Sequence, residues 1–312
     1  MFRFVMPDHA LPAATRKQLL KEQMGAFLRS DALAEVFDLL GTDRDRIGRD
    51  YNGRAGKDGQ VLETQVIEPA KTLEPLREKL YPLLDELGFL HINRPLAERH
   101  SRVLVLAGAL NACFTNTIAA AEWKDPSTVS VDGLSCYRPV NPKERASSIF
   151  TSQSDTEFGV TADAFSHVFG LAEGGFRDVF TSDRNLNGIS CIREFAIQPD
   201  SCLYRVYAAP SSEPGLRRAD TADSLEFYVE NAGISPGESL LAVTSNRYCN
   251  RQFLQIAHYV VKNDLPVDLD VVGCFPDERV ASMERYDPFQ YLQDLIGILD
   301  WIGRFERLLK EG

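Results

Sequence analysis

Five short apolar runs alternate with helix-like segments after Arg102, and this alternation restricts the fold more than any other feature. The first run, RVLVLAGA, has almost no polar position, as expected for a strand that is buried on both faces of a sheet. Further strand candidates are TVSVDGL, SCLYRVYAA, SLLAVTS and VDLDVVGC. Helical patterns lie between them near residues 156–171, 221–232 and 249–262. This order predicts an α/β fold with a doubly wound, mostly parallel sheet.

Helical segments flank the predicted sheet on both sides in the sequence. The first part of the chain has apolar residues at helical spacing, in two stretches separated by the polar, glycine-rich segment GTDRDRIGRDYNGRAGKDGQ. The last segment, PFQYLQDLIGILDWIGRFERLLKE, carries an apolar stripe along one long helix. We therefore expect a helical N-terminal region over 1–98, an α/β core over 99–280 and a C-terminal helix over 281–312 that packs on the core.

The charge and cysteine content argue against several classes of partner. With 34 Lys and Arg against 45 Asp and Glu, the net charge of −11 repels phosphate backbones, so no nucleic-acid partner is expected. No apolar stretch is long enough for a membrane helix, and the start of the chain does not resemble a signal peptide. The six cysteines form no CxxC pair, which predicts reduced thiols, no metal site and a cytoplasmic location. The sequence does not indicate the oligomeric state.

A polar cluster at one strand-to-helix junction is the strongest candidate for a ligand site. Ligands of open parallel sheets bind beyond the carboxyl ends of the strands, where SLLAVTS ends and the next helix begins. Arg251 would lie in the first helical turn, where a cation opposes the helix dipole. A bound anion or a nearby carboxylate would relieve that conflict. The candidate ligand-binding residues at this junction are Thr244, Ser245, Tyr248 and Arg251.

Three other junctions add polar groups at the same predicted edge of the sheet. Gly108 allows a close backbone approach directly after the first strand, and Asn111 supplies a neutral hydrogen-bonding group. Glu157 opens a helix, where an acid either suits the helix dipole or contacts a ligand. A further helix opens with an approximate capping box, in which we select Thr221, Asp223 and Ser224 as ligand-binding candidates.

Standard catalytic and cofactor motifs are absent from the sequence. It contains no GxGxxG, P-loop, HExxH or GxSxG motif, so it identifies no catalytic residue. Cys113 lies near a predicted helix start, where a thiolate would be favoured. No histidine or asparagine is obviously placed to assist it, and a buried small residue is the preferred interpretation.

The order of these junctions resembles the YdcF-like family, which includes the SanA and ElyC envelope proteins. The segments are VLVLAGA, then Thr156-Glu157, then residues 220–224, and last Thr244-Ser245-Asn246-Arg247-Tyr248-Cys249-Asn250-Arg251, which is similar to the Thr-Ser-x-x-His-x-x-Arg pattern of the family. Tyr248 stands where that pattern has histidine. The match covers roughly residues 100–275.

The resemblance implies a Rossmann-like core with a polar pocket for a small anionic or nucleotide-like ligand, and S-adenosylmethionine is one candidate. Arg251 would contact the anionic group, and Glu157 and Asp223 would hold ribose or amine groups. Two alternatives remain open at this point. One is a transferase or hydrolase that acts through pocket acids or Cys113, and the other is a protein-interaction scaffold that uses the N-terminal helices.

Overall fold

The structure, a computed structural model, describes residues 1–52, 72–90, 93–146, 148–172, 174–196, 200–274 and 287–311. The described chain forms two compact units. Unit 1 contains the described parts of 1–91, 246–264 and 284–312, and unit 2 contains those of 92–245 and 265–283. Helix 249–262 and the last helix therefore belong to the same unit as the N-terminal helices.

The helices and strands are numbered along the chain. The helices are α1 (Ala13–Leu28), α2 (Asp31–Leu40), α3 (Ile47–Tyr51), α4 (Arg77–Glu86), α5 (Leu110–Trp123), α6 (Pro142–Ala146), α7 (Glu157–Phe169), α8 (Thr221–Ala232), α9 (Cys249–Lys262) and α10 (Pro288–Glu311). The strands are β1 (Arg102–Leu106), β2 (Ser130–Ser135), β3 (Phe176–Thr181), β4 (Ser190–Phe195), β5 (Leu203–Ala208), β6 (Ser239–Ser245) and β7 (Asp268–Cys274). None of the helices in the described ranges is both long and apolar enough to cross a membrane.

Unit 2 is built on one seven-stranded sheet with the order β3-β4-β5-β2-β1-β6-β7. Within this order the five adjacent strands β5-β2-β1-β6-β7 are parallel, and β3 and β4 add an antiparallel hairpin at one edge. Numbered along the chain, the parallel strands have the order 3-2-1-4-5, which is the Rossmann order. The predicted α/β fold with a doubly wound, mostly parallel sheet is confirmed.

The two faces of this sheet have different chemistry. Successive strand residues point to opposite faces, so Val103, Val105 and Val131 share one face and pack with apolar residues of α5 and α7. The opposite face lies against α8, where the Tyr228 hydroxyl donates to the carboxylate of Asp132 at 3.0 Å. One layer of unit 2 is therefore an apolar core, and the other contains buried charge.

Unit 1 is helical and contains α1–α4, α9 and α10. Its apolar interior includes a group of phenylalanines in which Phe4 stacks on Phe253 of α9, with ring centroids 5.9 Å apart. The first helical stretch predicted in the N-terminal region forms two helices, α1 and α2. Ser30 separates them and caps α2, since its hydroxyl accepts the Leu33 amide. Gly41 ends α2 in the left-handed conformation, with φ of 63°, as its glycine allows.

The main elements of the sequence prediction match the structure, but the strands β3 and β4 and the short helices α3 and α6 were missed. The helices predicted near 156–171, 221–232 and 249–262 are α7, α8 and α9. The hairpin formed by β3 and β4 was not predicted. All six residues of β3 are exposed, so this strand lacks the alternating burial that produces a sequence signal. The second helical stretch predicted in the N-terminal region lies partly outside the described residues, and its described part contains α4.

Candidate functional site

The sheet order places a topological switch point between β1 and β6. These strands are neighbours, but β1 connects through α5 to β2 on one side and β6 connects through α9 to β7 on the other. Open α/β sheets bind ligands in the crevice that this reversal leaves at the carboxyl ends of the strands. Eight of the ten predicted site residues lie in unit 2, on the strand ends and the junctions that follow them. Tyr248 and Arg251 lie in unit 1.

The junction of β1 and α5 leaves the start of a long helix without a cap. Ala109 is the N-cap residue of α5 and is extended, with φ of −60° and ψ of 161°, and its methyl side chain gives no capping hydrogen bond. The first amides of a helix have no acceptor within the helix, and its N-terminus carries partial positive charge. Gly108, Ala109 and Asn111 are partly exposed. This junction can therefore donate backbone N–H groups to an anion.

The side chain of Asn111 is used within the protein. Its Oδ1 accepts the Ile149 amide at 2.9 Å and the Ser148 hydroxyl at 3.0 Å. It therefore holds the loop that precedes α7 against the start of α5. In this arrangement the backbone N–H of Asn111 is a better candidate for ligand contact than its side chain.

A buried arginine between two carboxylates fixes the same junction from the side of β2. Arg138 donates through Nε to Glu157 at 2.9 Å and through Nη1 to Glu144 at 2.8 Å. Its Nη2 donates to the carbonyl oxygen of Gly108 at 3.0 Å. Glu157, which is 4% exposed, therefore acts on the β1–α5 junction through Arg138. Its second oxygen has longer contacts, at 3.4 Å from the Ser135 hydroxyl and 3.6 Å from the Cys136 thiol.

The cysteine near this junction is a buried thiol, as the preferred interpretation predicted. Cys113 is 0% exposed, and its thiol donates to the Gly108 carbonyl at 3.4 Å. Burial, followed by the negative charge of Glu157, raises the pKa of Cys113 to about 12. A thiolate is therefore unfavourable at neutral pH, which leaves nucleophilic chemistry at Cys113 without support.

The N-terminus of α8 is capped by polar side chains at its own start. Asp220 and Asp223 form a capping box, in which the Asp220 carboxylate accepts the Asp223 amide and the Asp223 carboxylate accepts the Asp220 amide. Arg217 also donates to Asp223. Burial alone would raise the pKa of Asp223, but the bonds from Arg217 and from backbone amides outweigh it and lower that pKa. Thr221 and Ser224 lie in the first two turns, partly exposed and buried respectively.

The strand part of the polar cluster at the β6–α9 junction lies at the end of β6. Thr244 and Ser245 are 1% and 9% exposed, and they pair with Gly273 and Cys274 of β7. On the other side β6 pairs with β1, with Val243 opposite Val105. Ser245 therefore lies two residues beyond the last pair between β6 and β1. It is at the same edge of the sheet as Gly108, which follows the end of β1.

The helix half of the cluster has partners inside unit 1. Arg251 Nη1 lies 2.8 Å from Asp294 Oδ1, and Arg247 Nε lies 3.4 Å from Asp294 Oδ2. Tyr248 lies against both arginines, with its ring centroid 4.4 Å and 4.8 Å from their guanidinium carbons. Of the two explanations proposed for Arg251, an anion or a nearby carboxylate, the structure provides the carboxylate of Asp294 on α10.

The two asparagines of the cluster bind backbone groups of unit 1. Asn246 donates to the carbonyl oxygen of Phe89 at 2.9 Å, and Asn250 donates to that of Leu87 at 3.0 Å. Both bonds satisfy carbonyl groups just beyond the end of α4 (Arg77–Glu86). These side chains therefore explain part of the polar character of the junction without a ligand.

Three important residues near these junctions were missed by the sequence analysis. Arg138 and Glu144 follow β2 in the segment CYRPVNPKERA, and Asp294 lies in the apolar stripe of α10. None of these three residues belongs to a recognised sequence motif. For Asp294 the available signal was a charged residue at a position that helical periodicity predicts to be buried, which implies a partner of opposite charge. Arg138 and Glu144 lie in no long helix or strand whose periodicity could have indicated them.

The sequence matches no family model, no curated protein and no solved structure.

Proposed function

We propose that the chain binds a small anionic or nucleotide-like ligand at the carboxyl ends of the parallel strands of unit 2, with S-adenosylmethionine as one candidate. The observation that carries this proposal is the uncapped start of α5 at the switch point of the sheet. The two other long helices of unit 2 are capped, α7 by Thr156 and α8 by Asp220. An anionic group of the ligand would take the place of the missing cap.

The residues around α5 have distinct roles in this proposal. Gly108 and Asn111 contribute backbone N–H groups to the anion, and Arg138 holds the loop by its bond to the Gly108 carbonyl. Ser245 faces the same edge from β6 and contributes a hydroxyl group. Because Glu157 is buried, we assign it to positioning Arg138, whereas direct contact of Glu157 and Asp223 with ribose or amine groups rests on the family resemblance.

Membership of the YdcF-like family is part of the same proposal. It is supported by the doubly wound sheet and by the order of the junctions along it. A cytoplasmic location is also proposed, and the six free, buried cysteines support it because disulfides are rare in that compartment.

The substitution Ala109→Asp tests the proposal by supplying the missing cap. The backbone at Ala109 is already extended, as N-cap residues require. The introduced carboxylate should accept amides of the first turn and stabilise the fold by about 1 kcal/mol. The same carboxylate should repel and displace a ligand anion. We expect a higher melting temperature together with an affinity at least about tenfold weaker, or ~1.4 kcal/mol.

The assay uses isothermal titration calorimetry with S-adenosylmethionine and adenosine monophosphate, after mass spectrometry of ligands retained through gentle purification. Ala109→Asn is the matched control, because it caps the helix without adding charge and should weaken binding less than Ala109→Asp. If Ala109→Asp stabilises the protein but leaves the affinity unchanged, the ligand does not bind at α5. If neither compound binds and no metabolite is retained, the proposed ligand class is wrong.

A further inference from the structure

A surface cavity of about 420 Å³ lies in unit 1, between the loop after α2 and the C-terminal half of α10. Three arginines line it, Arg44 from the loop and Arg304 and Arg307 from the helix. The remaining lining residues are Asp45, Leu299, Asp300 and Gly303. In a chain with a net charge of −11, three guanidinium groups around one cavity are a local exception.

The arginines of the cavity are not all engaged by carboxylates. Arg44 forms an ion pair with Glu306 at 3.1 Å. Arg304 lies over the Trp301 ring, with its guanidinium carbon 4.6 Å from the centroid. Among the described residues, neither Arg304 nor Arg307 has a carboxylate within ion-pair distance. Both guanidinium groups act on the carboxylate of Asp300 at longer range, so a ligand anion would meet them without breaking an ion pair.

Gly303 forms part of the cavity wall, and the packing does not explain its lack of a side chain. A glycine in the middle of a helix lowers helix stability relative to alanine. At Gly297, in the same helix, an added Cβ would lie 2.6 Å from Arg251 Cδ, so that glycine is required by packing. At Gly303 the nearest atom to an added Cβ is Arg307 Nη1 at 3.9 Å, so a side chain would fit. The effect of glycine here is to keep the cavity open beside the Arg307 guanidinium.

We infer that this cavity binds a small phosphorylated metabolite, with its phosphate on the arginines and a hydroxyl group on Asp300. Guanidinium groups bind phosphate oxygens through paired hydrogen bonds, which a point charge cannot match. The volume lies in the range of small-molecule sites. Asp300 also lines the cavity and can accept a hydrogen bond from a hydroxyl group on the carbon skeleton of the metabolite. Inorganic phosphate has no such skeleton. This site is independent of the proposed site at α5.

Calorimetric titration of the full chain with glycerol 3-phosphate, inorganic phosphate and glycerol tests the inference. We expect saturable binding of glycerol 3-phosphate, weaker binding of inorganic phosphate and none of glycerol. Arg307→Gln and Gly303→Leu should each weaken binding of glycerol 3-phosphate at least tenfold, the first by removing charge and the second by filling the cavity. Asp300→Asn should reduce the preference for the ester over inorganic phosphate.

Two controls make the result decisive. Arg177→Gln removes the same charge from an exposed residue that does not line the cavity, and it should leave the affinity unchanged. Ala109→Asp should also leave it unchanged, which separates this site from the one at α5. The inference is overturned if glycerol 3-phosphate shows no saturable binding to the wild-type chain. It is equally overturned if Arg177→Gln weakens binding as much as Arg307→Gln, or if Gly303→Leu, folded with an unchanged melting temperature, binds as the wild type does.

Discussion

Asp294 is the carboxylate on which both arginines of the α9 junction depend, and Asp294→Asn should be strongly destabilising. Asp294 is 0% exposed and lies 2.8 Å from Arg251 Nη1 and 3.4 Å from Arg247 Nε. Asparagine keeps the shape of the side chain and removes its charge. Removing one partner of a buried ion pair typically costs about 3–5 kcal/mol, because the opposite charge is left uncompensated. We expect a loss in that range.

Arg251→Ala should cost less than Asp294→Asn. Arg247 remains beside Asp294 in this variant, so the buried carboxylate keeps a cation. The loss should therefore stay below about 3 kcal/mol, the lower end of the range for a buried charge that loses its partner. If Arg251 were instead mainly a ligand contact, as its position in the sequence suggested, Arg251→Ala would leave the stability nearly unchanged and weaken ligand binding.

Urea unfolding at pH 7 measures both variants against the wild type. Asp38→Asn on α2 is the matched control, since it makes the same change at an exposed position of the same unit and should stay within about 0.5 kcal/mol of the wild type. Equal losses for Asp294→Asn and Arg251→Ala would show that Arg247 does not share the carboxylate. A loss below about 1 kcal/mol for Asp294→Asn would refute the reasoning altogether.

Two further predictions concern pH and thiol chemistry. Burial, with a contribution from Lys262 and Arg304, lowers the pKa of His258 to about 4, whereas the unfolded value is about 6.5. Between these values the unfolded chain binds a proton that the folded chain does not, so stability should fall by up to about 3 kcal/mol from pH 6.5 to 4. His258→Phe should flatten that part of the urea-midpoint profile, and an unchanged slope would contradict this origin. All six cysteines are free and buried, so a thiol reagent should react slowly with the native protein and titrate six thiols after denaturation without reductant. Two or more thiols that do not react after denaturation would contradict the assignment of all six cysteines as free thiols.

The parallel part of the sheet was predictable because its residues follow general rules. The apolar runs at β1 and β6 are nearly continuous, and α8 and α9 begin where capping residues or a change of periodicity indicate. The hairpin of β3 and β4 was not predictable in this way. The β3 sequence, FRDVFT, mixes charged and apolar residues, and its burial does not alternate because the strand is exposed along its length.

The candidate site was predictable in position but not in its internal partners. The rule that ligands bind at strand ends selected Gly108, Glu157 and Ser245, and the structure places all three at one edge of the sheet. The arginines and carboxylates that hold these junctions come from other segments, and Arg251 meets Asp294, which lies 43 positions further along the chain. Such pairs follow from tertiary packing, which a single sequence does not contain.

The charged face of the sheet affects how the strands can align during folding. Asp132 of β2 lies opposite Arg205 of β5, and Arg205 Nε donates to Asp132 at 2.9 Å in the interior. An apolar face of valines would tolerate a slip of two residues, because every side chain would still point into a hydrophobic layer. The same slip would separate Asp132 from Arg205 and leave both charges buried and uncompensated. The ion pair therefore favours a single register between β2 and β5.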